Sequence, residues 1–196
     1  MTKNSSSRES WEERYREPDY RLGKEPVELL VEVLPALKQA HAGGRVLDLA
    51  MGEGRNAVFL AAEGFRVTGI ERSPAAITKA QALAAERGVT IDAIKADLEQ
   101  FELPREKFDV VLCLYYLDRK LFPAIARALV PGGWVIFETY TRDQLRFASG
   151  PRNPDHLLEP SELRRAFADF HIRLSRETTE GKAIASLVAE KALMPG

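Results

Sequence analysis

Five short runs rich in Val, Ile, Leu and aromatic residues, Arg45–Ala50, Arg66–Glu71, Thr90–Lys95, Phe108–Tyr115 and Trp134–Tyr140, alternate with alanine-rich stretches of helical character. That rhythm is the mark of βαβ units, and it leaves a mostly parallel sheet with helices between its strands as the fold to expect. Arg55–Glu63 stops at Gly64. Pro74–Arg87 carries Ser73 as its N-cap and Pro74 at its first helical position, and ends at Gly88. Arg119–Val130 stops before Pro131-Gly132-Gly133. In front, Pro26–Lys38 has the apolar spacing of a helix, with Pro35 expected to kink it or end it early. A polar loop from Thr141 to Glu159 and a helix beyond Pro160 precede two extended runs, His171–Thr178 and Lys182–Lys191. The link between these runs is too short for a parallel crossover, so they read as a hairpin whose antiparallel strand closes one edge of the sheet.

The chain's 196 residues offer no composition shift or spacer, which favours a single domain over the whole of 1–196. Its 28 basic and 29 acidic residues are interspersed and give a net charge of −1, without the basic stripe that phosphate binding requires. No nucleic-acid partner is expected. The longest apolar run, Val110 to Leu117, falls far short of the roughly 20 residues that span a bilayer, and Met1 to Ser10 lacks the apolar segment of a secretory signal. The single cysteine, Cys113, supplies neither a disulfide frame nor a metal-ligand pair. The expectation is a cytoplasmic protein, monomer or weak homodimer, that works on a small molecule without a metal.

The sharpest local feature is Val46-Leu47-Asp48-Leu49-Ala50-Met51-Gly52-Glu53-Gly54-Arg55-Asn56, a strand that runs into a two-glycine turn and then a helix. Gly52 and Gly54 permit backbone geometry and close approach that a Cβ would block, and the helix start points unpaired N–H groups at an arriving ligand. Gly52-x-Gly54-x-x-Ala57 fits a dinucleotide fingerprint, with Glu71 about where a ribose-binding acid belongs. That keeps an NAD(P)-dependent oxidoreductase as the alternative. Charge separates the two readings: Asp48, Glu53, Glu71 and Asp97 rim the turn, with Arg55 as the lone opposing charge. Such a rim repels a pyrophosphate and suits S-adenosylmethionine, which has a sulfonium and an ammonium against one carboxylate. Glu71 is placed to accept from the ribose hydroxyls, Asp97 from the adenine amine, and Asp48 from the methionine ammonium. Asp109 opens its strand, lies at the far end of the sheet and reads as structural.

These residues resemble the class I S-adenosylmethionine-dependent methyltransferases, most of all their tellurite-resistance and thiopurine-type branch. The glycine turn is similar to the family's first motif, which implies cofactor contacts at Asp48, Ala50, Gly52, Gly54, Arg55 and Asn56. Ala50 departs from the pattern, standing where the family's first glycine usually is. Glu71, with Arg72 beside it, resembles the ribose acid; Ala96-Asp97-Leu98 the adenine site; and Leu112-Cys113-Leu114-Tyr115-Tyr116 the fourth strand, which implies contacts at Asp97, Leu98, Cys113 and Leu114. Pro131-Gly132-Gly133 is similar to the turn before the fifth strand. Trp11-Glu12-Glu13-Arg14-Tyr15 resembles a segment that folds over the cofactor, which implies a contact at Trp11 and a lid over residues 1–25. The resemblance further implies an α/β, Rossmann-like, seven-stranded, mostly parallel sheet with an antiparallel C-terminal strand and helices on both faces. Methyl transfer from a sulfonium needs alignment and a dry pocket more than a dedicated base. A non-catalytic cofactor-binding protein is thus a second alternative. Acceptor contacts are expected from Tyr20, Tyr115 and Arg152, with Tyr116, Arg146, Asn153 and His156 as further pocket candidates, while Trp134, Phe137 and Phe170 read as core.

Overall fold

The computed structural model describes residues 5–193, with side chains from residue 11 onward. Residues 1–4, the start of the polar leading segment, lie outside it. The elements are α1 (Ser5–Arg16), α2 (Glu28–His41), β1 (Arg45–Leu49), α3 (Arg55–Ala62), β2 (Arg66–Glu71), α4 (Pro74–Glu86), β3 (Asp92–Lys95), β4 (Phe108–Leu114), α5 (Leu121–Ala128), β5 (Leu129–Tyr140), α6 (Glu162–Ala166), β6 (Phe170–Thr178) and β7 (Ile184–Lys191). The seven strands form one sheet in the order β3-β2-β1-β4-β5-β7-β6. It is the expected Rossmann-like, mostly parallel α/β sheet.

Contacts divide the chain into two compact units, residues up to 43 with 47–101, and 44–46 with 102 onward. In the first, β2 and β3 run parallel with Glu71 beside Lys95. The caps read from the sequence are present: the Ser73 hydroxyl accepts from the Ala76 N–H at 3.1 Å, and α3 and α4 are followed by Gly64 (φ +93°) and Gly88 (φ +68°), which reach the left-handed region at no steric cost. Pro35 does not end α2, which continues to His41. The helical spacing of its apolar residues buries Leu29, Leu30, Val33 and Leu37, and this packing outweighs the missing hydrogen bond. A helix that the apolar pattern does not announce, α1, occupies the polar segment ahead of it.

In the second unit, β4 and β5 are parallel, with Leu114 opposite Glu138. The helix expected to reach Val130 ends at Ala128, because Leu129 is already extended and pairs with Phe108. β7 is antiparallel to both β5 and β6. The antiparallel strand therefore lies one place in from the edge, and β6 takes the edge. The side chains explain the order: Ile184–Ala189 is buried throughout, as an interior strand must be, whereas β6 is exposed or half-buried along its length. Asp109, at the start of β4, is structural as expected. It accepts from the Arg45 backbone N–H at 2.7 Å and from Arg45 Nε at 3.0 Å.

Candidate functional site

The first unit gathers its charge at the carboxyl ends of β1 and β2. Beyond Leu49 the chain turns through Ala50 (φ +54°), Gly52 (φ +57°) and Gly54 (φ +83°), three left-handed residues in five. Gly54 has no room for a side chain, since a Cβ there would lie 2.6 Å from the Ala80 Cβ. Ala50 holds a conformation that costs an L-residue about 1–2 kcal/mol. The turn's geometry thus asks for glycine at this position although the sequence supplies alanine. Gly69 on β2 serves the same turn from below: a Cβ there would come within 2.0 Å of Met51 Sδ.

Glu71 closes the turn. Its Oε2 accepts from the Gly52 N–H at 3.0 Å, and its Oε1 accepts from the N–H groups of Arg72 and Ser73, both at 2.9 Å. This carboxylate, expected only as a ligand group, is also the brace that fixes the turn to the end of β2. Asp48 is buried, and its Oδ2 has no hydrogen-bond partner among the described residues. Burial pushes its carboxyl up to about 7, helped by the negative Glu71 and opposed by Arg55 and the Ala57 N–H. A buried carboxyl with an open oxygen, beside a turn with glycine at 52 and 54, fits a ligand that brings a cation.

Glu53 is not part of an open acidic rim. It is buried against Lys79, with Nζ to Oε1 at 2.8 Å. Arg55 is accordingly not the lone opposing charge. Its Nη1 donates to the Leu22 carbonyl at 2.8 Å, and the Leu22 N–H donates to Glu53 at 3.4 Å. Lys79 Nζ also donates to the Asp19 carbonyl at 2.7 Å, so Lys79 and Glu53 together hold the leading segment to α4 and the turn. Neither Lys79 nor its role was legible in the sequence, because the two partners are 26 residues apart.

The leading segment lies on the turn. Tyr15 is buried, and its hydroxyl would be 3.2 Å from a Cβ on Gly52. Burial raises its phenol pKa, and Glu71 and Glu53 raise it further. Ser73 donates to Glu12 at 2.5 Å. Trp11 stacks on Tyr15 with ring centroids 5.5 Å apart and is itself 38% exposed, so Tyr15 rather than Trp11 is the residue against the turn. Tyr15 closes the Trp11-Glu12-Glu13-Arg14-Tyr15 motif, in which the expected contact was Trp11.

Other residues expected at the site have these places in the first unit. Asn56 Oδ1 accepts from the Val27 N–H at 3.0 Å and fixes the start of α2. The Tyr20 ring packs against Val58, Leu83 and Ala84, and its hydroxyl donates to the Lys79 carbonyl at 3.0 Å. Asp97 is half-buried just after β3 and accepts from the Glu99 N–H at 3.1 Å, and Leu98 beside it is buried.

In the second unit, Cys113 and Leu114 are buried at the end of β4, and Cys113 Sγ lies 3.5 Å from the Tyr116 carbonyl oxygen. Arg152 donates to the carbonyls of Leu145 at 3.0 Å and Phe147 at 2.7 Å, and so closes its own loop. Trp134 and Phe137 are core, whereas Phe170 is half-buried. Tyr115 joins Glu138, Lys182 and Ser186 in a hydrogen-bonded cluster. The sequence reading named only Tyr115 of these four. Among the described residues, no group of His, Cys, Asp and Glu is placed to hold a metal, and no helix is long and apolar enough to cross a membrane.

A family model described as a methyltransferase domain matches residues 46–133. The ubiquinone biosynthesis O-methyltransferase of Photobacterium profundum is 34% identical over 113 residues, 53% of this chain and 48% of that protein. The chain spans about half the length of the curated relatives it matches. Among solved structures, TehB from Haemophilus influenzae superposes with a TM-score of 0.67 at 20% identity, covering 82% of this chain and 62% of that one. An S-adenosylmethionine dependent methyltransferase from Mesorhizobium loti gives 0.66 at 20% identity, covering 83% of this chain and 98% of that one. Residues 46–133 thus match a methyltransferase domain, and the fold is one shared with S-adenosylmethionine dependent methyltransferases.

Proposed function

We propose that this chain is a class I S-adenosylmethionine-dependent methyltransferase that takes its cofactor into the glycine turn and methylates an oxygen of a small molecule. The observation that carries the reading is Asp48, buried with one oxygen unpartnered among the described residues, beside a turn that leaves no room for a side chain at Gly54. Asp48 is the partner for the cofactor's ammonium, and Glu71, already braced by three N–H groups, keeps acceptor capacity for the ribose hydroxyls. Asp97 and Leu98 take the adenine. Tyr15 and Trp11 cover the bound cofactor as part of a lid. The match from 46 to 133 runs through both compact units, which supports one functional domain rather than two. Oxygen as the acceptor atom follows the name of the curated relatives.

When bound, the cofactor supplies an electrophilic methyl group, and the protein's part is to orient the acceptor and keep water out. Incubated with methyl-labelled S-adenosylmethionine and a panel of small hydroxyl compounds, the protein is expected to yield labelled product and an equal amount of S-adenosylhomocysteine. Tight cofactor binding without turnover on any acceptor would favour the non-catalytic alternative.

A further inference from the structure

The glycine turn has spent most of its own donors. The Met51 N–H donates to the Ile70 carbonyl at 3.1 Å, the Gly52 N–H to Glu71 at 3.0 Å, and the Gly54 N–H to the Met51 carbonyl at 3.1 Å. Past the end of β2, the N–H groups of Arg72 and Ser73 are taken by Glu71, and that of Ala76 by the Ser73 hydroxyl. The two acids at the turn, Asp48 and Glu71, are acceptors once ionised. They suit the ammonium and the ribose hydroxyls of S-adenosylmethionine. Its carboxylate is different: an anion seated on this turn needs a donor from another element.

The hydroxyl of Tyr15, on α1, stands in that place. Tyr15 is 8% exposed, and among the described residues its hydroxyl has no hydrogen-bond partner. A buried tyrosine ordinarily finds one. The ring meets the turn hydroxyl first, since a Cβ built on Gly52 would lie 3.2 Å from the Tyr15 oxygen and 3.8 Å from its Cζ. Burial, with Glu71 and Glu53 adding to it, keeps the phenol protonated and hence a donor. Arg55 and Arg72 act on the same hydroxyl in the opposite sense, so a negative charge arriving beside it is met by two guanidinium groups. Other residues of α1 set the position of Tyr15. Glu12 accepts from the Ser73 hydroxyl at 2.5 Å and pairs with Arg16 at 3.3 Å, and the Trp11 ring lies against that of Tyr15.

We propose that the Tyr15 hydroxyl donates to the carboxylate of bound S-adenosylmethionine, so that α1 recognises the amino-acid end of the cofactor as well as covering it. This rests on the methyltransferase reading above. Asp48 meets the ammonium and Tyr15 the carboxylate, two groups borne on one carbon atom, and the turn selects a ligand that carries both. An adenosine compound without the carboxylate gains nothing from Tyr15.

The test compares S-adenosylhomocysteine with its decarboxylated form, which keeps the adenosine, the thioether and the ammonium and lacks only the carboxylate. By titration calorimetry, the parent is expected to bind the intact ligand about 10- to 100-fold more tightly than the decarboxylated one, the range of a hydrogen bond to a charged group. Tyr15→Phe keeps the ring against Trp11 and removes the donor. It is expected to weaken S-adenosylhomocysteine by about 10- to 100-fold and the decarboxylated ligand by less than about threefold. An equal loss for both ligands overturns the proposal, because Tyr15 then acts by shape alone, and no loss for either overturns it as well. Should Tyr15→Phe fail to fold, Glu12→Ala, which releases α1 from Ser73, is expected to shrink the preference for the intact ligand, and an unchanged preference overturns the proposal.

The same titrations separate this inference from the reading it rests on. A parent that binds neither ligand refutes the cofactor reading and the role of Tyr15 with it. A parent that binds S-adenosylhomocysteine, with an affinity that Tyr15→Phe leaves intact, refutes the role of Tyr15 alone.

Discussion

Replacing Asp48 by asparagine is expected to stabilise the free protein by a few kcal/mol above about pH 8 and to weaken S-adenosylmethionine binding at least ~10- to 100-fold. Burial holds the Asp48 carboxyl at about 7 against an ordinary 3.8. Between those values the folded chain keeps a proton that the unfolded chain has released, so this group's contribution to stability falls as pH rises from about 4 to about 7. The difference corresponds to ~4 kcal/mol once both states are ionised. Asparagine leaves an oxygen for the Ala57 N–H and brings no charge to bury. It cannot pair with an ammonium, and a lost charge-assisted hydrogen bond is worth ~1.5–3 kcal/mol. For the parent, cofactor affinity should rise about tenfold per pH unit up to about 7 and then level off, as the carboxyl becomes ionised. Urea melts at pH ~5 and ~8 with calorimetry on both proteins check this. An Asp48→Asn protein that is no more stable than the parent at the higher pH, or that binds the cofactor as tightly, would remove Asp48 from the account.

Glu71→Ala is expected to have two effects. The N–H groups of Gly52, Arg72 and Ser73 lose their acceptor, and an orphaned buried donor costs ~1–3 kcal/mol. The variant should therefore be less stable by at least ~3 kcal/mol, and saturating cofactor should restore little of it. Affinity for S-adenosylhomocysteine should fall about 100-fold or more, because the ribose loses its acceptor and the turn its shape. Thermal melts and calorimetry below the lowered Tm separate the two effects. Unchanged stability would mean that Glu71 does not brace the turn. Unchanged affinity in folded protein would mean that it does not meet the ribose.

The strand-turn-helix from Val46 to Asn56 was legible because its signals are local: an apolar run, glycines at fixed spacing, and a helix after them. The N-cap at Ser73 and the stops at Gly64 and Gly88 were legible for the same reason. What the sequence hid depends on partners distant along the chain. Lys79 with Glu53, Tyr15 with Gly52, and Lys182 with Tyr115 and Glu138 meet only after folding. Pro35 shows packing overriding a local rule, since four buried side chains keep α2 helical past it. The order of the last two strands has a local signal in the sequence. Ile184-Ala185-Ser186-Leu187-Val188-Ala189 is nearly continuous in small and apolar residues, whereas His171-Ile172-Arg173-Leu174 alternates, which marks the first as interior and the second as edge.

The central claim is that the glycine turn receives a phosphate-free, cationic cofactor. Isothermal titration of the unaltered protein with S-adenosylmethionine, S-adenosylhomocysteine and NAD at one pH above ~7 tests it most directly. The expected result is saturable one-to-one binding of both sulfur compounds at low micromolar Kd or tighter, and no specific binding of NAD, whose pyrophosphate would face Asp48 and Glu71. Binding of NAD as tight as that of S-adenosylmethionine would contradict it.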